Sequence, residues 1–206
     1  ELENASFVCP PGRSAAIILS MALQGIPLSQ WRPGKLRIYL AGDHVPASDL
    51  YKLFSRCVKQ IVLSPADGGR PVTLPAACLQ PAGFSDKEAM IPYPPHAFPG
   101  FRLLQEYFTF PGKFMCFDIS GWERWLDRGE GRRFSIGIEF GDVLPEAPRV
   151  TRDNFALFAV PAVNIFAHDA DPVSMDNRKD RYLVRPCGDD PSHFQVFSVD
   201  CVTGFM

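Results

Sequence analysis

Twenty prolines in 206 residues, nearly one in ten, set the first limit on this fold. A proline inside a helix removes a backbone donor and clashes with the preceding turn, so long uninterrupted helices are excluded and a helix bundle with them. Hydrophobic residues at 46% and charged residues at 21% are ordinary globular values, which excludes intrinsic disorder; the length suffices for one large domain or two small ones. A net charge of −2 and an isoelectric point near 6.1 supply no positive field, so nucleic acid and anionic lipid are poor partners. Six cysteines stand singly with no CxxC, the pattern of small buried hydrophobes in a reducing compartment. The longest apolar stretches, Ala15–Leu23 and Phe155–Ala167, fall short of the roughly 20 residues of a membrane helix. Glu1 is preceded by neither a start Met nor a basic segment, so no signal peptide is expected.

Periodicity predicts mostly strands. Ile17, Leu19, Met21 and Leu23 alternate with Ala16, Ile18, Ser20 and Ala22, and Leu36, Ile38 and Leu40 share one face of a second run. Ser48 can cap a helix whose apolar stripe runs Leu50, Leu53, Phe54, Cys57, Val58 and Ile61. A hairpin is expected next, from Ile61-Val62-Leu63 to Val72-Thr73-Leu74 around Asp67-Gly68-Gly69. Residues Pro75–Pro99 form a proline-rich connector, and a subdomain boundary is expected there, dividing the chain into 1–92 and 93–206. Phe101, Leu104 and Phe108 fall on one face of a helix opened by Pro99 and stopped by Pro111. Phe114–Ile119 reads as a buried strand, and Ser120-Gly121-Trp122-Glu123 as a capping box opening a short helix to Leu126. Phe134–Phe140 is a strongly alternating strand, and Phe155–Phe166, Tyr182–Val184 and Phe194–Val199 are further β-prone runs. The expected fold class is α+β and β-dominated, with antiparallel or mixed sheets and about three short helices.

Reactive constellations are weak. His168-Asp169-Ala170-Asp171 with Asp176 has metal-ligand residue types, but the stretch also reads as a polar turn. Asp43-His44 and Cys187 with His193 offer two ligands each, too few to close a zinc shell. Cys116 sits in an apolar run, where burial raises a thiol pKa, and no GxSxG elbow exists. Gly129-Glu130-Gly131 before Arg132-Arg133 lacks the strand-loop-helix setting of a phosphate cradle. No catalytic residue, cofactor or metal is assigned.

From Pro92 to Phe117 nearly one residue in three is aromatic, a density that serves either a core or a protein contact. The interface candidates are Tyr93, Phe98, Phe101, Arg102, Glu106, Tyr107, Phe110, Trp122 and Trp125.

The segment Phe98-Pro99-Gly100-Phe101-Arg102-Leu103-Leu104-Gln105-Glu106-Tyr107-Phe108-Thr109-Phe110-Pro111-Gly112-Lys113-Phe114 closely resembles the central signature of the TssF (VasA, ImpG) family of the bacterial type VI secretion system. Leu36–Gly42, Val160–Phe166, Asp171–Val173, Tyr182–Pro186 and Phe194–Gly204 continue the likeness in family order. Gly112 stands where the family pattern has an acidic residue. Family members are longer, so the resemblance implies a central stretch of such a protein. It implies a non-enzymatic structural role in the wedge of the cytoplasmic baseplate, at the inner face of the inner membrane. The implied partners are TssG, TssK, TssE and the central spike, with a second TssF copy. The alternative left by the residues alone is a cytosolic β-rich hydrolase or carbohydrate-active domain, whose carboxylates would converge in a cleft with perturbed pKa values.

Overall fold

The computed structural model describes residues 1–94, 96–141, 147–175, 180–188, 190 and 193–204. The chain divides into two units, Glu1–Pro161 and Ala162–Met206. The boundary expected near residue 92 is thus displaced, because strands on both sides of it share the same sheets.

In the first unit a five-stranded sheet has the order β1-β2-β8-β4-β5, with β1 at Leu2–Val8, β2 at Ala16–Ala22, β4 at Val58–Pro65, β5 at Val72–Pro75 and β8 at Arg133–Phe140. A four-stranded sheet has the order β6-β7-β3-β9, with β3 at Leu36–Leu40, β6 at Leu79–Ala82, β7 at Cys116–Ile119 and β9 at Phe155–Leu157. Every pairing is antiparallel. Alternation explains β8: Phe134, Ile136, Ile138 and Phe140 are buried, while Ser135 and Glu139 are only half-covered.

Helix α1 (His44–Arg56) begins four residues before Ser48, because Pro46 lies in the first turn, where its missing amide costs nothing. It ends at Arg56, and the chain passes directly into β4, so Val58 and Ile61 belong to a strand and not to the helical stripe. Its buried face, Ala47, Leu50, Leu53 and Phe54, joins the two sheets. The Phe54 ring lies 5.5 Å from Phe117 and 6.2 Å from Phe155 of one sheet, and 6.4 Å from Phe140 of the other.

Trp122 and Trp125 are buried, and this corrects their expected place at an interface. The Ser120–Glu123 stretch forms no side-chain cap; it gives one 3-10 turn, Trp122–Arg124, rather than a helix to Leu126. A capping box exists instead at Thr151 and Asn154. Trp31 packs edge-on against Trp122 at 5.0 Å, and Phe134 touches all three tryptophans. The buried Arg128 guanidinium closes this cluster by donating to the carbonyls of Trp31, Trp122 and Trp125. Burial, and then nearby Arg32, lower its pKa.

Two glycines face each other where the β4–β5 turn meets the loop before β8. Gly69 (φ 73) would carry a Cβ 2.6 Å from the Gly129 nitrogen, and Gly129 (φ 70) one 2.7 Å from the Asp67 carbonyl oxygen. Neither position accepts a side chain.

In the second unit the expected strands Tyr182–Val184 and Phe194–Val199 do not form. Their residue types favour strands, but a strand needs a partner ladder, and the described residues there supply only the bridge between Ala170 and Pro186. Of Phe155–Phe166, only Phe155–Leu157 pairs. No helix among the described residues is long and apolar enough to cross a membrane.

Replacing Arg128 with Met leaves three carbonyls short of a donor, so Arg128→Met is expected to lower unfolding free energy by about 2–4 kcal/mol. Arg128→Lys should recover little, because an ammonium cannot reproduce the planar fork. Urea unfolding against the exposed control Arg124→Met checks this.

An ionic hub beneath an aromatic helix face

Helix α2 (Pro99–Thr109) follows the aromatic spacing, with Pro99 in its first turn and Pro111 beyond its end. Its orientation is the reverse of an ordinary amphipathic helix. Its two charged residues, Arg102 at 2% exposure and Glu106 at 1%, point inward, and Phe101, Leu104 and Phe108 point out.

The carboxylate of Glu106 explains the inversion. One oxygen accepts the backbone amides of Met90 at 2.7 Å and Ile91 at 3.3 Å; the other accepts Arg102 Nη1 at 3.1 Å and Lys113 Nζ. Lys113 arrives from the 3-10 turn Pro111–Phe114 and is itself buried. Arg102 Nη2 reaches Asp86 at 3.0 Å, and its guanidinium lies 5.4 Å over the Tyr93 ring. The Arg102 Nε is buried without a hydrogen-bond partner. One acid thus fastens the proline-rich connector, α2 and the following turn together.

A second ionic group continues the same tie. Arg37 of β3 grips Asp118 of β7 through Nε at 2.7 Å and Nη2 at 2.8 Å, and Glu88 at 2.5 Å; Lys35 adds a contact to Asp118 at 2.7 Å. Glu88 also accepts the Gly83 amide and the Ser85 hydroxyl. Gly83 (φ 97) must be glycine, because a Cβ there would sit 2.8 Å from the Lys113 carbonyl oxygen.

Burial pulls the Glu106 carboxyl upward, but Lys113 and the two amides overcome it and hold it below the usual carboxylate range. Glu88 and Asp118 are likewise pushed up by burial and brought down further by Arg37. The Arg37 guanidinium, bonded to Asp118, is held more firmly protonated than usual. These carboxylates are consumed in ion pairs, unlike the free cleft acids of a glycoside hydrolase. The thiol of Cys116 is raised by burial, against nucleophilic use.

Of the interface candidates, Phe98, Phe101, Tyr107 and Phe110 are exposed and Tyr93 is half-buried. Arg102 and Glu106 are removed from that set by their burial, as are Trp122 and Trp125. A charge reversal at either hub residue would break the hub, not probe a surface. Leu104 and Phe108, absent from the candidate set, complete the exposed stripe. The sequence signal for this was the Arg102/Glu106 pair at i,i+4 in an otherwise uncharged helix. Between α1 and α2 runs a groove of about 390 Å³, lined by His44, Ser48 and Tyr51 on one side and Leu103, Leu104 and Tyr107 on the other, over Phe84, Phe114 and Met115.

In the second unit His168 Nε2 lies 2.6 Å from the Cys187 carbonyl oxygen, and its ring stacks on Phe194 at 4.6 Å. Asp176 lies outside the described residues, among which no three His, Cys, Asp or Glu gather as a metal site.

Because the folded-state pKa of Glu106 is depressed, its contribution to stability is full above the unfolded value of about 4.3 and is lost as pH falls below it. Tm should therefore drop as pH is lowered from about 5 toward 2. Glu106→Gln should flatten that dependence and cost about 3–5 kcal/mol at pH 7, by leaving Lys113 buried without its anion and Arg102 with Asp86 alone. Thermal melts across pH, read by circular dichroism, measure both.

Comparison with known proteins agrees with the likeness carried by Phe98–Phe114. The family model of the type VI secretion system protein TssF matches residues 2–206. Type VI secretion system component TssF1 of Pseudomonas aeruginosa strain PAO1 is 32% identical over 183 residues, covering 87% of this chain and 29% of that protein. A chain of the type VI secretion system TssK-TssF-TssG baseplate subcomplex, solved by cryo-electron microscopy, superposes with a TM-score of 0.71 at 26% identity, over 90% of this chain and 35% of that one. The chain thus spans roughly a third of the length of these relatives. With a family match running from the second residue to the last, this chain belongs to the TssF family of the type VI secretion system.

Proposed function

We propose that this chain is a structural part of a type VI secretion baseplate wedge, where it holds other subunits at fixed geometry and turns over no substrate. The observation that carries this reading is the structural likeness, over nine-tenths of the chain, to a chain of the TssK-TssF-TssG subcomplex. TssG and TssK are its proposed partners, and TssE, the central spike and a second TssF copy complete the proposed assembly. Its proposed place is the cytoplasmic baseplate docked at the inner face of the inner membrane.

The physical features support a scaffold. Wedge contacts of this kind bury large, fairly apolar areas, and the exposed α2 face offers such area without charge. The two ionic groups fix that face relative to β3 and β7, so a partner meets a preformed surface. The shifted acids Glu88, Glu106 and Asp118 serve these ties, which removes them as general acids or bases.

Co-expression of the chain with TssG and TssK, followed by size-exclusion chromatography, tests the reading. Co-elution with at least TssG is the expected result. A chain with native circular dichroism that elutes free of both partners overturns it.

A further inference from the structure

We propose that the outer edge of β9 is a docking site for an extended, uncharged strand of another polypeptide, taken up by main-chain hydrogen bonds as a fifth strand of its sheet. The inference goes beyond the baseplate reading and does not depend on it, since it rests on backbone groups and the groove around them.

Register locates the open groups. β3 and β9 pair Tyr39 with Ala156, and the Ala41 amide donates to the Asn154 carbonyl at 2.8 Å. Hydrogen-bonded pairs alternate with unbonded ones along an antiparallel ladder, so Asn154 and Ala156 face β3 while Phe155 and Leu157 turn their backbone groups the other way. The Phe155 amide is spent on the Arg152 carbonyl, closing the preceding 3-10 turn. The Phe155 carbonyl and both the amide and the carbonyl of Leu157 have no hydrogen-bond partner among the described residues. β9 is the last strand of its sheet, and these three groups are placed as a neighbouring strand would need them.

Of the four edge strands, the other three are guarded. β1 carries a register shift between Leu2 and Asn4 and exposes Glu3, β5 ends in Pro75, and β6 contains Pro81. Bulges, charges and prolines are the devices that stop an edge from pairing with another chain. Phe155-Ala156-Leu157 has none of them.

The groove suits such an occupant. β9 lines a hollow of about 730 Å³ together with Leu23, Ile26 and Trp31. Polar side chains there are already engaged: Arg152 Nε donates to the Leu2 carbonyl at 2.9 Å, and the Gln24 amide donates to the Glu1 carboxylate at 3.1 Å. Apolar surface and main-chain groups are left for a ligand, which selects an uncharged, extended segment with apolar residues at alternate positions. Phe158 follows β9 at φ 59, a left-handed conformation that a bulky residue rarely adopts, and is 85% exposed at the groove. Strain of this kind collects at ligand clamps, and here it presents an aromatic ring to whatever lies along β9.

Nuclear magnetic resonance titration of the nitrogen-15-labelled chain tests the proposal, with an acetylated and amidated heptapeptide of alternating Thr and Val as the probe. Saturable binding with a Kd below about 1 mM is expected, with shifts centred on Phe155–Phe158 and the Leu157 amide exchanging at least about tenfold more slowly. The same peptide N-methylated at two adjacent central residues, which blocks both of its edges, should bind at least about tenfold more weakly. Leu157→Pro removes the outward donor but spares the Ala156–Tyr39 pair, and should weaken binding by a similar factor; Leu157→Val keeps the amide and should not. If circular dichroism shows that Leu157→Pro does not fold, the two peptides decide alone. No shift at β9 up to about 2 mM peptide overturns the proposal, as does equal binding of the N-methylated peptide. A folded Leu157→Pro chain that binds as wild type overturns it too. Co-elution with TssG is a separate readout, so either inference can fail alone.

Discussion

The carboxylate of Glu106 governs the character of this surface. A buried anion is tolerated only when its oxygens are fully engaged, and here two cations and two amides engage them. Those four groups come from three separate stretches of chain, so satisfying one acid fixes the connector, α2 and the turn after it in one arrangement. A helix has a limited circumference, and turning its polar pair inward leaves its aromatic residues no place but outside. The exposed apolar face is thus a consequence of buried charge and not a failure to bury rings.

That inversion also shows where sequence reading reaches its limit. The spacing of Phe101, Leu104 and Phe108 located α2 and its boundaries, because Pro99 and Pro111 mark them by local sterics. It could not say which face looks inward, since periodicity defines a stripe and tertiary contacts choose its direction. Lys113, Glu88, Arg37 and Asp118 were invisible as a group, being brought together from four elements. Trp122 and Trp125 read as surface anchors for the same reason; what encloses them is Arg128, which folds back over their carbonyls from farther along the chain.

The strands divide along similar lines. β3 and β8 were legible because one face of each is buried and the other is not, the condition that produces clean alternation. β1 and β6 carry no such pattern: Leu2–Val8 exposes Glu3 and Asn4, and Leu79–Ala82 contains Pro81 at the edge of its sheet, where a missing donor is harmless. The TssF likeness at Phe98–Phe114 supplied the family, which no arrangement of residue types in this chain specified.

The position of β8 in the strand order has a consequence for biosynthesis. It lies between β2 and β4, yet it is the last strand of its sheet to be made. Until the ribosome has released residues past Phe140, β1–β2 and β4–β5 exist as separate hairpins, each with an open inner edge and an uncovered apolar side. The nascent chain therefore passes through an aggregation-prone interval that ends when one late segment inserts and zips both halves at once.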